Sequence, residues 1–251
     1  MGNVAVEPPK VQPADLETIA DLAGAIFTSV DMTEMSAIAS ELEAKALRLG
    51  ALFAQLSGPR GEEVVNLIIA ETFISRRKRR EISAIVTEAI LRDALIALAD
   101  SSQGPMERVS LMRYWLEPMG DLANDLPFEL LHFLQPDRFC LATSWVWNPL
   151  TETGAVKLLL DEGFELFGAD QDEAFARLNF AIDYLGQTAQ AAGFIPAGNS
   201  YFAMDAFLAG VYGVYMSTVL EMRMTKEFNK ILPPLSQLMR RLLGIYHKEV
   251  N

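Results

Sequence analysis

Apolar positions recur every three or four residues along almost the whole chain, the period of amphipathic helices. Leu16, Ile19, Leu22, Ile26 and Val30 form one such stripe, and Pro13 suits the first turn of its helix. Met35, Ile38, Leu42, Leu49, Leu52 and Leu56 form a second, starting near Thr33, interrupted by Lys45 and stopped at Gly58-Pro59. From Glu62 to Gln103 there is no Gly or Pro, so the pattern predicts one long helix or two helices broken at the cationic cluster of residues 76–80. Gly104-Pro105 closes it, a helix is predicted over 106–117, and Pro118, Gly120 and Pro127 punctuate the approach to FELLHFL. FCLATSWVW, residues 139–147, has the only strand-like composition, and a short helix is predicted near 155–162.

Residues 170–192 read as a clear helix, with Asp170, Asp172 and Glu173 at its positive end and Gly193 after it. A loop over 194–200 leads to a long apolar helix from about Tyr201. A break at Pro233-Pro234 precedes a last amphipathic helix through Arg240, Arg241 and Leu243. The expected fold is all-α, a multi-helix bundle of roughly eight to ten helices with one irregular or short extended segment near 135–154. Residues 1–12, with Pro8 and Pro9, read as a flexible leader. Residues 13–251 read as a single helical domain, or as two subdomains with a seam near 118–127.

Composition supports a packed core: 251 residues are 51% hydrophobic and 22% charged. The first residues lack the basic start and apolar run of a secretory signal, so the expected location is the cytoplasm. Residues 201–220 are long enough to span a bilayer, but Asp205 and three tyrosines in them favour a core helix, and no transmembrane segment is expected.

Charge changes the picture more. The net charge of −12 is concentrated: residues 117–183 hold 13 acidic residues against Arg138, Lys157 and Arg177, a net of −10. Against that background stand five consecutive cations, Arg76, Arg77, Lys78, Arg79 and Arg80. On a helix they would sweep about 400° around the axis, so no orientation buries them. Arg79 and Arg80 would oppose the dipole of a new helix start, which predicts a continuous exposed turn rather than a break. This turn is the expected partner- or anion-binding site, and the acidic segment is a surface suited to a basic partner.

Catalytic motifs are few. No phosphate-binding glycine loop and no G-x-S-x-G elbow occurs. Cys140 is the only cysteine, which rules out an intrachain disulfide, and its apolar neighbours predict an inert thiol. Glu129 and His132 form E-x-x-H, half of a di-iron bundle motif, but the only other histidine, His247, has Gly244 three residues before it. No catalytic residue, metal ligand or cofactor is predicted. The densest unusual chemistry surrounds residues 133–155. A pocket is predicted from His132, Asp137, Arg138, Trp145, Trp147 and Asn148, joined by Tyr201 and Asp205 from the apolar helix. On an extended segment Trp145 and Trp147 would face one side and form an aromatic wall. Asp205, the only charge between Asp183 and Glu221, needs a partner, and Arg138 or the cationic run is expected to supply it.

DLPFELLHFL, residues 125–134, resembles the helical motif of the dedicated chaperones for molybdenum redox enzymes, which are also acidic, all-α and of similar size. The resemblance covers about ten residues and illustrates the class of function expected; the aromatic stretch that follows departs from it, and no family is assigned on it. The sequence thus points to a binding or accessory protein, adaptor- or chaperone-like, that docks a protein partner through a basic turn and an acidic face. A small-ligand binder or enzyme with a pocket near Trp145, Trp147 and Asp205 is the alternative. A nucleic-acid-binding regulator using residues 76–80 ranks third, because phosphate binding favours a basic domain. A second copy of the chain is a further expected partner class.

Overall fold

The computed structural model describes residues 13–14, 16–72, 75, 77–196, 200–223 and 233–246. The expected leader, Arg76 and His247 lie outside the described residues. Among these residues the fold is all-α, with ten helices: α1 Leu16–Phe27, α2 Met32–Phe53, α3 Gly61–Glu71, α4 Arg79–Ile85, α5 Glu88–Ala99, α6 Pro105–Leu116, α7 Leu122–Leu134, α8 Gln171–Ala191, α9 Ser200–Arg223 and α10 Leu235–Leu242. Their starts follow local chemistry. The Asp31, Thr87 and Asp170 side chains accept hydrogen bonds from the backbone N–H groups of Glu34, Ile90 and Glu173. Each satisfies a donor that a helix leaves unpaired at its first turn.

Among the described residues the glycine- and proline-free run over 62–103 carries the three helices α3, α4 and α5, with Ser75 and Arg77 also helical between α3 and α4, rather than one or two helices. Its first break is made by two buried hydroxyls. Thr72 and Ser75 hydrogen-bond to each other, and Ser75 Oγ donates to the Ile69 carbonyl in the last turn of α3 at 2.8 Å. Its second break is the extended Val86-Thr87 pair, where Thr87 caps α5. Arg79 and Arg80 open α4 behind Lys78 as its N-cap, while Arg77 is helical before that cap, so the cationic run straddles a break, which corrects the expected continuous turn. Glu81 in the first turn of α4 supplies the anion that this end favours, and Arg79 donates to Asn66 Oδ1 at 3.1 Å. Arg77, Arg79 and Arg80 are exposed and Lys78 is half-exposed, as the sweep of charge around the axis requires.

Two groups of helices meet on α2. On one side α9 packs against α1, α8 and α10; on the other α6 packs against α5 and α7, and α5 against α3; α2 touches α3, α7 and α9. The buried apolar side chains form one continuous cluster from Ala14 to Ile245. α9 is the central post. It is long and apolar enough to cross a membrane over Tyr201–Val219 by length and composition, and 61% of that window is buried against the fold. Gly213 lets α10 approach closely, since a Cβ there would lie 2.6 Å from Leu235 Cδ1. α10 is then pinned to α2 by Arg240, which donates to Glu41 at 2.6 Å and to Glu34 at 2.5 Å.

Pro118 and Gly120 fall in a 3-10 turn over Glu117–Met119 and the bend after it, with Gly120 at φ 61°, where a glycine is favoured. Pro127 does not interrupt the chain as its position suggested; it lies inside α7. After α7 no α-helix forms until Gln171. The strand-like 139–147 stretch is irregular, with a turn in which Val146 and Trp147 both donate to the Thr143 carbonyl. The short helix expected near 155–162 is a 3-10 turn at Val156–Leu158.

Candidate functional site

α7 is an apolar helix with a buried polar stripe. Asp125, Glu129 and His132 are all at most 8% exposed, and their spacing of four and three residues puts them along one face. Each ties α7 to a different part of the chain. Asp125 Oδ1 accepts from Ser144 N at 2.7 Å and from Ser144 Oγ at 2.6 Å. Glu129 Oε1 accepts from Lys45 Nζ of α2 at 2.6 Å. His132 reaches Asp205 of α9 at 2.8 Å through Nε2, and the Phe139 carbonyl at 2.7 Å through Nδ1. A buried polar stripe of this kind is tolerable only when its members are hydrogen-bonded.

The histidine's state follows from its neighbours. A carbonyl can only accept, so Nδ1 carries a proton, and Nε2 faces a carboxylate, so it carries one too. The imidazolium form of His132, paired with Asp205, satisfies both contacts. Burial pulls its pKa down, but the Asp205 charge, the hydrogen bond to it and the Phe139 carbonyl outweigh burial and raise it above the ordinary value. The partner of Asp205 is thus His132, not Arg138 or the cationic run. Lys45, which broke the α2 stripe, is fully buried. It holds Glu129, donates to the Leu243 carbonyl at 3.0 Å and sits 4.2 Å from the centre of the Phe133 ring. Glu129 and His132, the E-x-x-H pair, point to different partners.

Asp125 differs from both. No Lys, Arg or His forms an ion pair with it among the described residues, and burial pushes its pKa up to about 6 against the opposing pull of the Ser144 hydrogen bonds. Glu129 and Asp121 add to the upward push.

Three clefts open around this stripe. The first, about 390 Å³, is lined by His132, Asp137, Arg138, Cys140, Tyr201 and Asp205. It brings together five of the eight residues predicted to share a pocket. Asp137 and Arg138 are exposed at its rim. Cys140 is held by its N–H on Asn179 Oδ1 at 2.6 Å, and burial, then the Asp205 charge, push its thiol up, which makes it a poor nucleophile. The second cleft, about 380 Å³, is lined by Asp125, Glu129, Thr143, Trp145, Asn148 and Tyr212. The third, about 490 Å³, is lined by Phe128, Trp147, Leu150, Phe167 and Phe175, with Asp121 and Asp170 among its polar residues. Asn148 lines the second and third clefts, and so do Asp121, Asp125 and Ser144.

No protein-family model, curated protein or solved structure matches this chain. The site therefore stands on its own geometry, and the resemblance in residues 125–134 assigns no family.

The expected single aromatic wall is not formed. The turn on Thr143 sends Trp145 to the second cleft and Trp147 to the third, with Val146 fully buried between them. Tyr212 joins Trp145, with ring centres 6.0 Å apart. Sequence reasoning passed over Asp125, Lys45 and Thr143. One signal for them was present: Asp121, Asp125 and Glu129 recur every four residues in a helix whose other positions are mostly apolar. Among the described residues no ion pair joins Lys78, Arg79 or Arg80 to residues 117–183, and no group of three or more His, Cys, Asp or Glu side chains is placed to hold a metal.

Proposed function

We propose that the protein is a binding or accessory protein that docks a short apolar, cationic segment of a partner protein in its third cleft. The observation that supports this most is the cleft's composition. Phe128, Trp147, Phe167 and Phe175 line it together with Leu150, which is 86% exposed, a heavy apolar exposure for one loop residue. Asp121 and Asp170 flank these rings, inside the segment that carries a net charge of −10. An apolar floor with acidic edges favours an apolar segment bearing Lys or Arg and disfavours an acidic one. Arg113 also lines the cleft, one cation against Asp121, Asp125 and Asp170, and donates to Gln171 at 2.8 Å.

The basic turn is a second contact point, for an acidic surface of the same partner. Its exposed residues stand at the start of α4, where they fill no cleft. Electrostatic contacts of this type speed association and set orientation more than they add affinity.

The test uses two labelled dodecapeptides rich in Leu and Phe, one with two lysines and one with two glutamates in their place. Fluorescence anisotropy should show tighter binding of the lysine peptide, and Trp147→Ala should weaken it at least tenfold. Equal binding of both peptides, or an unchanged affinity in Trp147→Ala, would overturn the reading. For the basic turn, Lys78→Ser with Arg80→Gln should shift stability by no more than about 0.5 kcal/mol. The same variant should reduce low-salt retention on immobilised poly-glutamate; unchanged retention would remove the turn from the proposal.

A further inference from the structure

The molecule already contains one ammonium site. Lys45 Nζ is held by a carboxylate oxygen of Glu129 at 2.6 Å, a carbonyl oxygen of Leu243 at 3.0 Å and the face of Phe133 at 4.2 Å. A carboxylate, a neutral oxygen and an aromatic face are what a desolvated ammonium requires. One turn earlier on α7 the same parts recur in the second cleft. Asp125 supplies the carboxylate, 3% exposed, with Oδ1 taken by Ser144. No hydrogen bond from a described residue reaches its Oδ2. Thr143 supplies the neutral oxygen: the residue is 3% exposed, it lines the cleft, and its Oγ1 is buried without a partner. Trp145 and Tyr212 supply aromatic faces, inclined at 47° to each other. Among the described residues no Lys or Arg lines this cleft.

We propose that the second cleft binds a primary ammonium group on an apolar stem, with Asp125 as counter-ion, Thr143 Oγ1 as a further acceptor and Trp145 and Tyr212 as its walls. Oδ2 of Asp125, Thr143 Oγ1 and the second oxygen of Glu129 offer acceptors to the three N–H groups of an ammonium. A buried, unpaired carboxylate and a buried, unpartnered hydroxyl are each costly alone, and one ammonium satisfies both. The proposal deepens the docking reading, because Asp121, Asp125, Ser144 and Asn148 line both clefts, so a lysine of a segment seated in the third reaches the second. A free alkylamine offers the same chemistry, and the test separates the two sources.

Calorimetry would compare butylammonium with the neutral alcohol 1-pentanol, and the lysine dodecapeptide with its norleucine counterpart. Butylammonium should bind and 1-pentanol should not. Asp125→Asn should weaken butylammonium at least tenfold, and Trp145→Leu several-fold, with unfolding curves confirming that both variants are folded. If butylammonium does not bind, if 1-pentanol binds as well, or if Asp125→Asn changes nothing, the ammonium site is wrong. If butylammonium does not bind while the lysine and norleucine peptides bind equally and both depend on Trp147, the docking of an apolar segment in the third cleft stands and the ammonium site fails. If butylammonium binds through Asp125 and neither peptide binds, the ammonium site stands, its ligand is a free amine, and the docking reading fails.

Discussion

The two ends of α7 treat buried carboxylates in opposite ways. At the C-terminal end Glu129 has Lys45, and the helix's own His132 has the Asp205 carboxylate, so charge there is matched within the chain. Toward the N-terminal end Asp125 is just as buried and, among the described residues, has only the Ser144 N–H and hydroxyl. Matched pairs hold the fold together: α7 to α2, and α7 to α9. An unmatched carboxylate works against the fold, and it lines both clefts in which the aromatic side chains collect. The difference separates the part of the stripe whose charge the described residues match from the part they leave unmatched.

The contrast can be broken most strongly at its closed end. Lys45→Met leaves Glu129 buried without its cation and should cost about 3 kcal/mol or more of unfolding free energy, read by urea titration. Adding Glu129→Leu should restore most of that loss, because the pair is then replaced by apolar packing. No recovery in the double variant would mean that the pair does more than neutralise itself.

Asp125→Asn should move stability the other way. Its pKa rises from 3.8 to about 6 on folding, so its contribution is most favourable below the ordinary carboxylate value and is lost as pH rises through about 6. The asparagine variant should therefore be more stable than the native chain above that pH, by about 2–3 kcal/mol. The gain should shrink toward zero in acid. A loss of stability at neutral pH would show that the Ser144 hydrogen bonds, not the charge, dominate at this position.

The smallest effect is expected at His132 and Asp205. Asp205→Asn exchanges a charged hydrogen bond for a neutral one and should cost about 2 kcal/mol. Because the His132 pKa is raised, the pair's contribution is full below the ordinary imidazole value and is lost as pH rises through the folded one. The native chain should thus lose stability on the alkaline side of that window, and Asp205→Asn should flatten the slope. Parallel pH profiles for the two proteins would contradict the imidazolium assignment.

The helical architecture was legible because periodicity is local. The α1 stripe, the capped start of α8 at Asp170 and the apolar α9 all follow from spacings of a few residues. The breaks in 62–103 were less so, since they rest on threonine and serine hydroxyls rather than on Gly or Pro. Thr87 in front of Glu88 is a helix-start pattern, but it lies in a run whose apolar period continues past it. Pro127 misled in the other direction, as a proline can sit inside a helix that packing on both sides holds. Partners of buried charges were not legible at all. Lys45 meets Glu129 across 84 residues and His132 meets Asp205 across 73, and nothing in a one-dimensional pattern orders such choices. The first cleft could be anticipated because four of its predicted members are close in sequence or stand out by chemistry; the tryptophan pair could not, because one tight turn reverses the facing that alternation implies.

That turn has an optical consequence. Trp145 and Trp147, two residues apart, look into different clefts, and the remaining tryptophan, Trp115, lies on α6. Single-tryptophan variants would thus turn each cleft into its own emission channel. An occupant of one cleft would shift one spectrum and leave its near neighbour unchanged.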